Sequence, residues 1–207
     1  QAGFADSKAT ALTAGGYTWA LHQEQTETSG TAWKAALATP GNDWDWVILQ
    51  EQSQIPGFPQ AEPDWQASVA AGGFLDGAAA SLGSETVLLL TWGRRLGDDA
   101  NTTLYPDYST MQDHLTEGYL AYQAAFTTEE RPVWIAPAGL AFAQVYADVV
   151  AAGDTPENEG TRFSTLYTSD GSHPSPAGTY LVAAVLFETM TGQSASGLPT
   201  PADLYDE

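Results

Sequence analysis

Trp46-Val47-Ile48-Leu49-Gln50-Glu51-Gln52-Ser53 passes from four apolar residues to four polar ones without a break. The apolar half is too short for a helix, rich in β-forming residues and not alternating. That is the pattern of a parallel strand buried on both faces, ending where the chain turns polar. Thr86-Val-Leu-Leu-Leu-Thr91 and Pro132-Val-Trp-Ile-Ala136 repeat the pattern. Lys8 to Thr13, a Thr-rich stretch stopped by Gly15-Gly16, reads as a further strand closed by a tight turn.

Helical patterns alternate with these strands. Trp33 to Leu37 is a short helix closed by Pro40-Gly41-Asn42. Pro63 suits a first helical turn and opens a helix to about Leu82, despite Gly72-Gly73. Tyr108 to Phe126 places Met111, Leu115, Tyr119 and Tyr122 on one face. Leu140 to Ala151 follows, and Pro176 to Thr191 is the last helix, ended by Gly192. The alternation predicts an α/β fold with a mostly parallel sheet covered by helices on both faces. No repeat, linker or composition break divides the chain, so residues 1–207 are expected to form one domain.

Six Lys and Arg against 26 Asp and Glu give a formal charge of −20. Such a surface repels phosphate backbones and anionic headgroups, which argues against nucleic-acid and membrane partners. No apolar run approaches the ~20 residues of a membrane span. The absence of Cys removes disulfides, thiolate nucleophiles and Cys-based metal sites. An acidic surface suits an extracellular setting, and secretion is the expected localisation. The chain starts at Gln1 without Met, which suggests processing or incompleteness.

In open α/β sheets, sites gather at the carboxyl ends of the strands. Gly15-Gly16-Tyr-Thr18, Gln50-Glu-Gln-Ser53 and Thr91-Trp-Gly-Arg-Arg95 occupy such ends here. Asp170-Gly-Ser-His173-Pro-Ser carries the most chemistry. Asp and His three residues apart, in a loop leading into a helix, can set the carboxylate against imidazole Nδ1. Nε2 is then free to serve as base toward a serine hydroxyl. The same residues also suit a plain turn, with Ser175 capping the final helix.

Asp170-Gly-Ser-His173-Pro-Ser-Pro-Ala-Gly-Thr-Tyr180 resembles the last block of the SGNH (GDSL-like) hydrolases, whose Asp-x-x-His supplies acid and base of a triad. Gly16-Tyr-Thr18 is similar to the block in which a glycine amide helps form the oxyanion hole. Leu49-Gln-Glu-Gln-Ser53 falls where the Gly-x-Asn-Asp block belongs. Together with Thr91-Trp-Gly-Arg-Arg95, these segments resemble a little-characterised bacterial branch of that superfamily. The resemblance spans about Thr10 to Gln193. It implies a three-layer α/β/α sandwich of flavodoxin-like type. It also implies roles for His173 as base, Asp170 as its orienter, and Gly16 with Gln52 as oxyanion donors. Gln50 is the rival to Gln52, since Gln stands where the family has Asn; a carboxamide N–H can do the same work. Glu51 either orients the loop or helps bind substrate, and Arg94 is a candidate substrate contact.

The family's first block, a strand followed by the nucleophilic Ser, has no counterpart here. Ala5-Asp6-Ser7 superficially resembles Gly-Asp-Ser, but no apolar strand precedes it and no room follows for the next helix. The family's sheet order, 2-1-3-4-5, would put the absent strand in the middle. The expectation is that a segment upstream of residue 1, or a neighbouring chain, completes the sheet and supplies the Ser.

The remaining candidates are weaker. His22, on the helix after the glycine pair, reads as a packing or surface residue, and His114 as solvent-facing. Three scattered His do not make a zinc site. Asp98-Asp-Ala-Asn101 lacks the spacing of a calcium loop and reads as a turn. No cofactor is expected, because no Gly-rich phosphate loop opens a helix. The expected function is a serine esterase or deacetylase acting on an ester of a small acyl group, carbohydrate esters included. The alternative is a non-catalytic structural or binding subunit on the same scaffold.

Overall fold

Strand β1 (Trp46–Leu49) forms where the unbroken apolar run predicts it, with Leu49 buried. It pairs in parallel with β2 (Glu85–Leu89), Leu49 opposite Leu88, and β2 pairs in parallel with β3 (Trp134–Ala136), Leu88 opposite Ile135. The sheet order is β1-β2-β3. This is a computed structural model, and it describes residues 7–199.

Six α-helices surround the sheet among the described residues: α1 (Trp19–Glu27), α2 (Ala32–Leu37), α3 (Pro63–Ser81), α4 (Tyr108–Phe126), α5 (Ala138–Ala151) and α6 (Pro176–Thr191). Thr18, Thr31, Asp107 and Ser175 cap α1, α2, α4 and α6, each accepting a backbone N–H of the first turn. Gly192 ends α6 in the left-handed conformation, φ 65°, which a side chain would resist.

Successive strand residues point to opposite faces. Val47, Leu49, Leu88 and Ile135 pack with Trp19, Leu75, Tyr119 and Tyr122 of α1, α3 and α4. Val87, Leu89 and Ala136 pack on the other side with Val182, Val185 and Leu186 of α6. A third cluster, Tyr108, Phe142, Phe163 and Tyr167, fills the space between α4, α5 and the loop before α6. A fully buried aliphatic side chain such as Leu88 contributes roughly 1.5–3 kcal/mol.

Two glycines set how close the layers come. A Cβ on Gly118 of α4 would lie 1.7 Å from the Pro56 carbonyl oxygen, and one on Gly139 of α5 would lie 2.1 Å from that of Thr91. Helix α4 therefore touches the 3-10 turn Ile55–Gly57 backbone to backbone, which fixes the loop after β1.

The expected strand at Lys8 to Thr13 is absent: the segment is irregular and almost wholly exposed. A single extended segment gains nothing without a paired neighbour, and no described strand lies alongside it. The turn predicted at Gly15-Gly16 does form, with Tyr17 N–H donating to Ala14 C=O at 3.2 Å. Among the described residues no strand pairs with the outer edge of β1. Ile48 on that edge strand is 41% exposed. Helix α6, although apolar along its length, has Gly178 as its one fully buried residue.

All four arginines are ion-paired. Arg94 meets Asp98 at 2.5 Å, Arg95 meets Glu159 at 2.7 Å, Arg131 meets Asp76 at 2.5 Å and Arg162 meets Asp148 at 3.6 Å.

Candidate active site

The loop before α6 is built around Asp170. Oδ1 accepts the N–H groups of Ser172 and His173 at 2.8 and 2.9 Å and the Thr168 hydroxyl at 2.9 Å. Oδ2 stands 2.6 Å from His173 Nδ1. A carboxylate only accepts, so Nδ1 carries the proton and Nε2 of the neutral ring keeps its lone pair. The His173 side chain, followed by the Ser172 and His173 amides, holds the Asp170 carboxyl far below the usual carboxylate range. The side chains of His173 and Asp170 are 78% and 51% exposed, so the pair opens outward.

The end of β2 holds this loop in place. Arg95 N–H donates to Gly171 C=O at 2.8 Å, and Trp92 Nε1 to Ser172 C=O at 3.1 Å. Gly171 has φ 67°, where glycine is favoured. The pattern Asp-Gly-Ser-His-Pro is therefore a turn and an Asp–His pair at once.

The end of β1 is organised by Glu51, which is 1% exposed. Its Oε1 accepts Trp19 N–H at 2.8 Å and Gln52 N–H at 2.7 Å, and Oε2 accepts the Ser68 hydroxyl at 2.5 Å. Ser68 in turn accepts the Tyr122 hydroxyl at 2.8 Å. Burial raises the Glu51 carboxyl above its ordinary value, against the pull of these hydrogen bonds. Glu51 is thus shielded from solvent and holds the start of α1, the Gln52 loop and α3 together through three hydrogen bonds. Gly16 lies in the turn just before α1, so its position depends on the same Glu51–Trp19 link.

Gln52 is partly buried and Gln50 is exposed. Gln52 Nε2 donates to Gln54 Oε1 at 2.6 Å, and Gln54 Nε2 donates to Asp98 Oδ2 at 2.5 Å. Arg94 Nη1 reaches Asp98 Oδ1, so one of its donors is committed and the side chain is a quarter exposed. Gln52, Gln54, Asp98 and Arg94 thus form one chain of contacts joining the ends of β1 and β2. Through Arg95 and Gly171 that chain continues, by backbone, to the Asp170 loop.

Sequence reasoning missed Asp98, Gln54 and Ser68 as organising groups. Asp98 does form the expected turn, Asn101 N–H donating to its carbonyl at 2.9 Å, but its buried carboxylate also gathers side chains from elsewhere. His22 is a packing residue: Nδ1 accepts Trp33 Nε1 at 2.6 Å, the ring meets Tyr17, and burial lowers its pKa. His114 is not solvent-facing as predicted. It sits against Tyr105 with Nδ1 3.3 Å from Gly57 C=O, because α4 presses so closely on the 3-10 turn. Among the described residues no cluster of His, Asp and Glu could hold a metal ion, and no helix is long and apolar enough to cross a membrane.

Two solved structures share this architecture. A putative SGNH hydrolase from Slackia heliotrinireducens superposes with a TM-score of 0.61 at 29% identity, over 85% of this chain and 80% of the other. That likeness supports an SGNH-like superfamily relationship. A DUF4886 family protein from Bacteroides uniformis superposes with a TM-score of 0.67 at 16% identity, over 91% of this chain and 73% of the other, which shows the shared fold. No family model and no curated protein matches. The SGNH-like relationship agrees with the sheet order and with the helices on both faces.

Proposed function

We propose that this SGNH-like protein is a serine ester hydrolase, an esterase or deacetylase removing a small acyl group, with carbohydrate esters among its substrates. The observation that carries the reading is the 2.6 Å contact between Asp170 Oδ2 and His173 Nδ1. It is the geometry needed to orient a base and stabilise the imidazolium formed in acyl transfer. A serine supplied from outside the 207 residues would attack the ester carbonyl. His173 Nε2 would take the hydroxyl proton and return it to the leaving alcohol, with Asp170 holding the ring throughout. The Gly16 amide and the Gln52 carboxamide would receive the oxyanion. Arg94 would contact the substrate with the donors that Asp98 leaves free, and Gln50 would line the approach.

The outer edge of β1, with which no strand pairs among the described residues, supports a second element of the reading: a strand from an upstream segment or a neighbouring chain completes the sheet and carries the serine. The acidic surface is in keeping with work outside the cell, without nucleic-acid or membrane partners. The same open edge favours a second reading, in which the scaffold is a non-catalytic subunit whose edge receives a neighbour's strand.

A fluorophosphonate probe separates the two, since it labels an activated serine alone. Labelling of the assembled protein, lost in His173→Ala, is expected for the hydrolase. Absence of labelling in protein shown to hold the additional strand would leave the subunit reading standing.

A further inference from the structure

Asp98 is shielded from solvent, and its carboxylate is filled by four donors. Oδ2 takes Gln54 Nε2 at 2.5 Å and Asn101 Nδ2 at 2.7 Å; Oδ1 takes Arg94 Nη1 at 2.5 Å and Ala100 N–H at 3.1 Å. The residue lies forty-four positions from Gln54, so the contact belongs to the fold and not to a local turn. Burial alone would raise this carboxyl, but hydrogen bonds from Asn101, Gln54 and Ala100, with the Arg94 charge, hold it below its ordinary value.

An ionised carboxylate can only accept, and that has a directional consequence. Gln54 must turn its NH2 group toward Asp98, which points its Oε1 the other way. That oxygen stands 2.6 Å from Gln52 Nε2, so Gln52 must present its own NH2 group there. Gln52 Oε1 is held by Gln54 N–H at 2.9 Å, which opposes a flip from the other end. A flipped Gln52 would set two amide oxygens against each other and orphan a backbone donor. Tyr105 braces the arrangement: its hydroxyl donates to Gln54 C=O at 2.6 Å, and its carbonyl accepts Asp98 N–H at 2.9 Å.

We infer that Asp98 is a positioning residue that dictates, through Gln54, which end of the Gln52 carboxamide is presented as a donor. The inference rests on the oxyanion role proposed above for Gln52. One Gln52 N–H is spent on Gln54 and the second is oriented in advance, without reorganisation during the reaction. Asp98 never touches substrate. Its charge enforces an orientation that a neutral amide network would leave open to flipping.

The test has two arms on the assembled protein. In the first, the side-chain NH2 signals of Gln52 and Gln54 are followed by 1H–15N NMR in wild type, Asp98→Asn and Asp99→Asn. Shifted or doubled Gln52 signals in Asp98→Asn, with Asp99→Asn unchanged, are expected; unmoved Gln52 signals in Asp98→Asn overturn the relay. In the second, kcat and KM for p-nitrophenyl acetate are measured for Gln52→Ala, Asp98→Asn and the double variant. A fall in kcat of tenfold or more in Asp98→Asn, with KM little changed and no further loss on top of Gln52→Ala, is expected. Losses that multiply would show that Asp98 acts on folding of the loop and overturn the inference. An unaltered kcat in Gln52→Ala overturns the oxyanion reading, and with it the catalytic part of this inference, while the spectra still decide the relay. If Asp98→Asn does not fold, Gln54→Leu carries the same kinetic test, because it leaves the other three bonds to Asp98 in place.

Discussion

The backbone N–H of Trp19, at the start of α1, is bonded to the side chain of Glu51 at the end of β1, at 2.8 Å and across thirty-two residues. This single contact ties the glycine turn to the Gln52 loop, and it needs a buried carboxylate to do so. Removing the carboxylate would leave Trp19 N–H, Gln52 N–H and the Ser68 hydroxyl without their acceptor. Glu51→Ala is therefore expected to lower stability by about 3 kcal/mol, read as a shift in urea midpoint at unchanged slope.

Glu51→Gln should behave differently, and its pH dependence gives the sign. The folded-state pKa of Glu51 is raised by burial, so the folded protein binds this proton more tightly than the unfolded chain. Its contribution is fully present below the ordinary glutamate range and is lost as pH rises through the raised value. The stability of wild type relative to Glu51→Gln should fall as pH rises across that window. A difference that is flat, or that rises with pH, would contradict the burial argument.

Asp170→Asn and His173→Ala should each reduce p-nitrophenyl acetate turnover by roughly 10³–10⁴-fold in an active assembly. Both side chains are largely exposed, so the melting temperature should move by only a few degrees at most. Retained activity in either variant would remove the acyl-transfer assignment. Equal losses with unchanged melting place the effect on chemistry.

Gly118→Ala tests the contact between α4 and the loop after β1. The added methyl meets the Pro56 carbonyl oxygen at a distance no atoms sustain, and both partners are backbone. A loss of more than about 3 kcal/mol is expected, with the neighbouring Gln52 loop displaced. Gly77→Ala, where nothing lies within 4 Å, is the matched control and should be neutral or stabilising.

Ile48→Lys tests the sheet edge. Light scattering and intact mass should show wild type associated with a second polypeptide or a further copy, and Ile48→Lys should weaken that association. A wild-type species that is folded, monomeric and matches these 207 residues alone would refute the added strand.

Much of this architecture was legible in the sequence because it is local. Tyr108–Phe126 and Pro176–Thr191 announce themselves by apolar spacing, Pro and Gly, and Trp46–Leu49 by an unbroken apolar run. Lys8 to Thr13 misled because strand character depends on a neighbour that composition does not reveal. At the candidate site the Asp170–His173 pair was readable, being three residues apart in one turn. The roles of Asp98, Ser68 and Tyr122 were not, since each acts across a distance in sequence that only folding closes. Their polar character was visible; their partners were not.

Every arginine of this chain is matched to a carboxylate of its own, and the formal charge of −20, already net of all six cations, sets the field at long range. Within a Debye length of ~8 Å at physiological salt, an incoming molecule senses that field before it senses the site. Neutral esters would arrive at a rate indifferent to ionic strength, anionic ones faster as salt is added and cationic ones slower. The salt dependence of kcat/KM across three such substrates would then report the sign of the field that an arriving ester meets at the site.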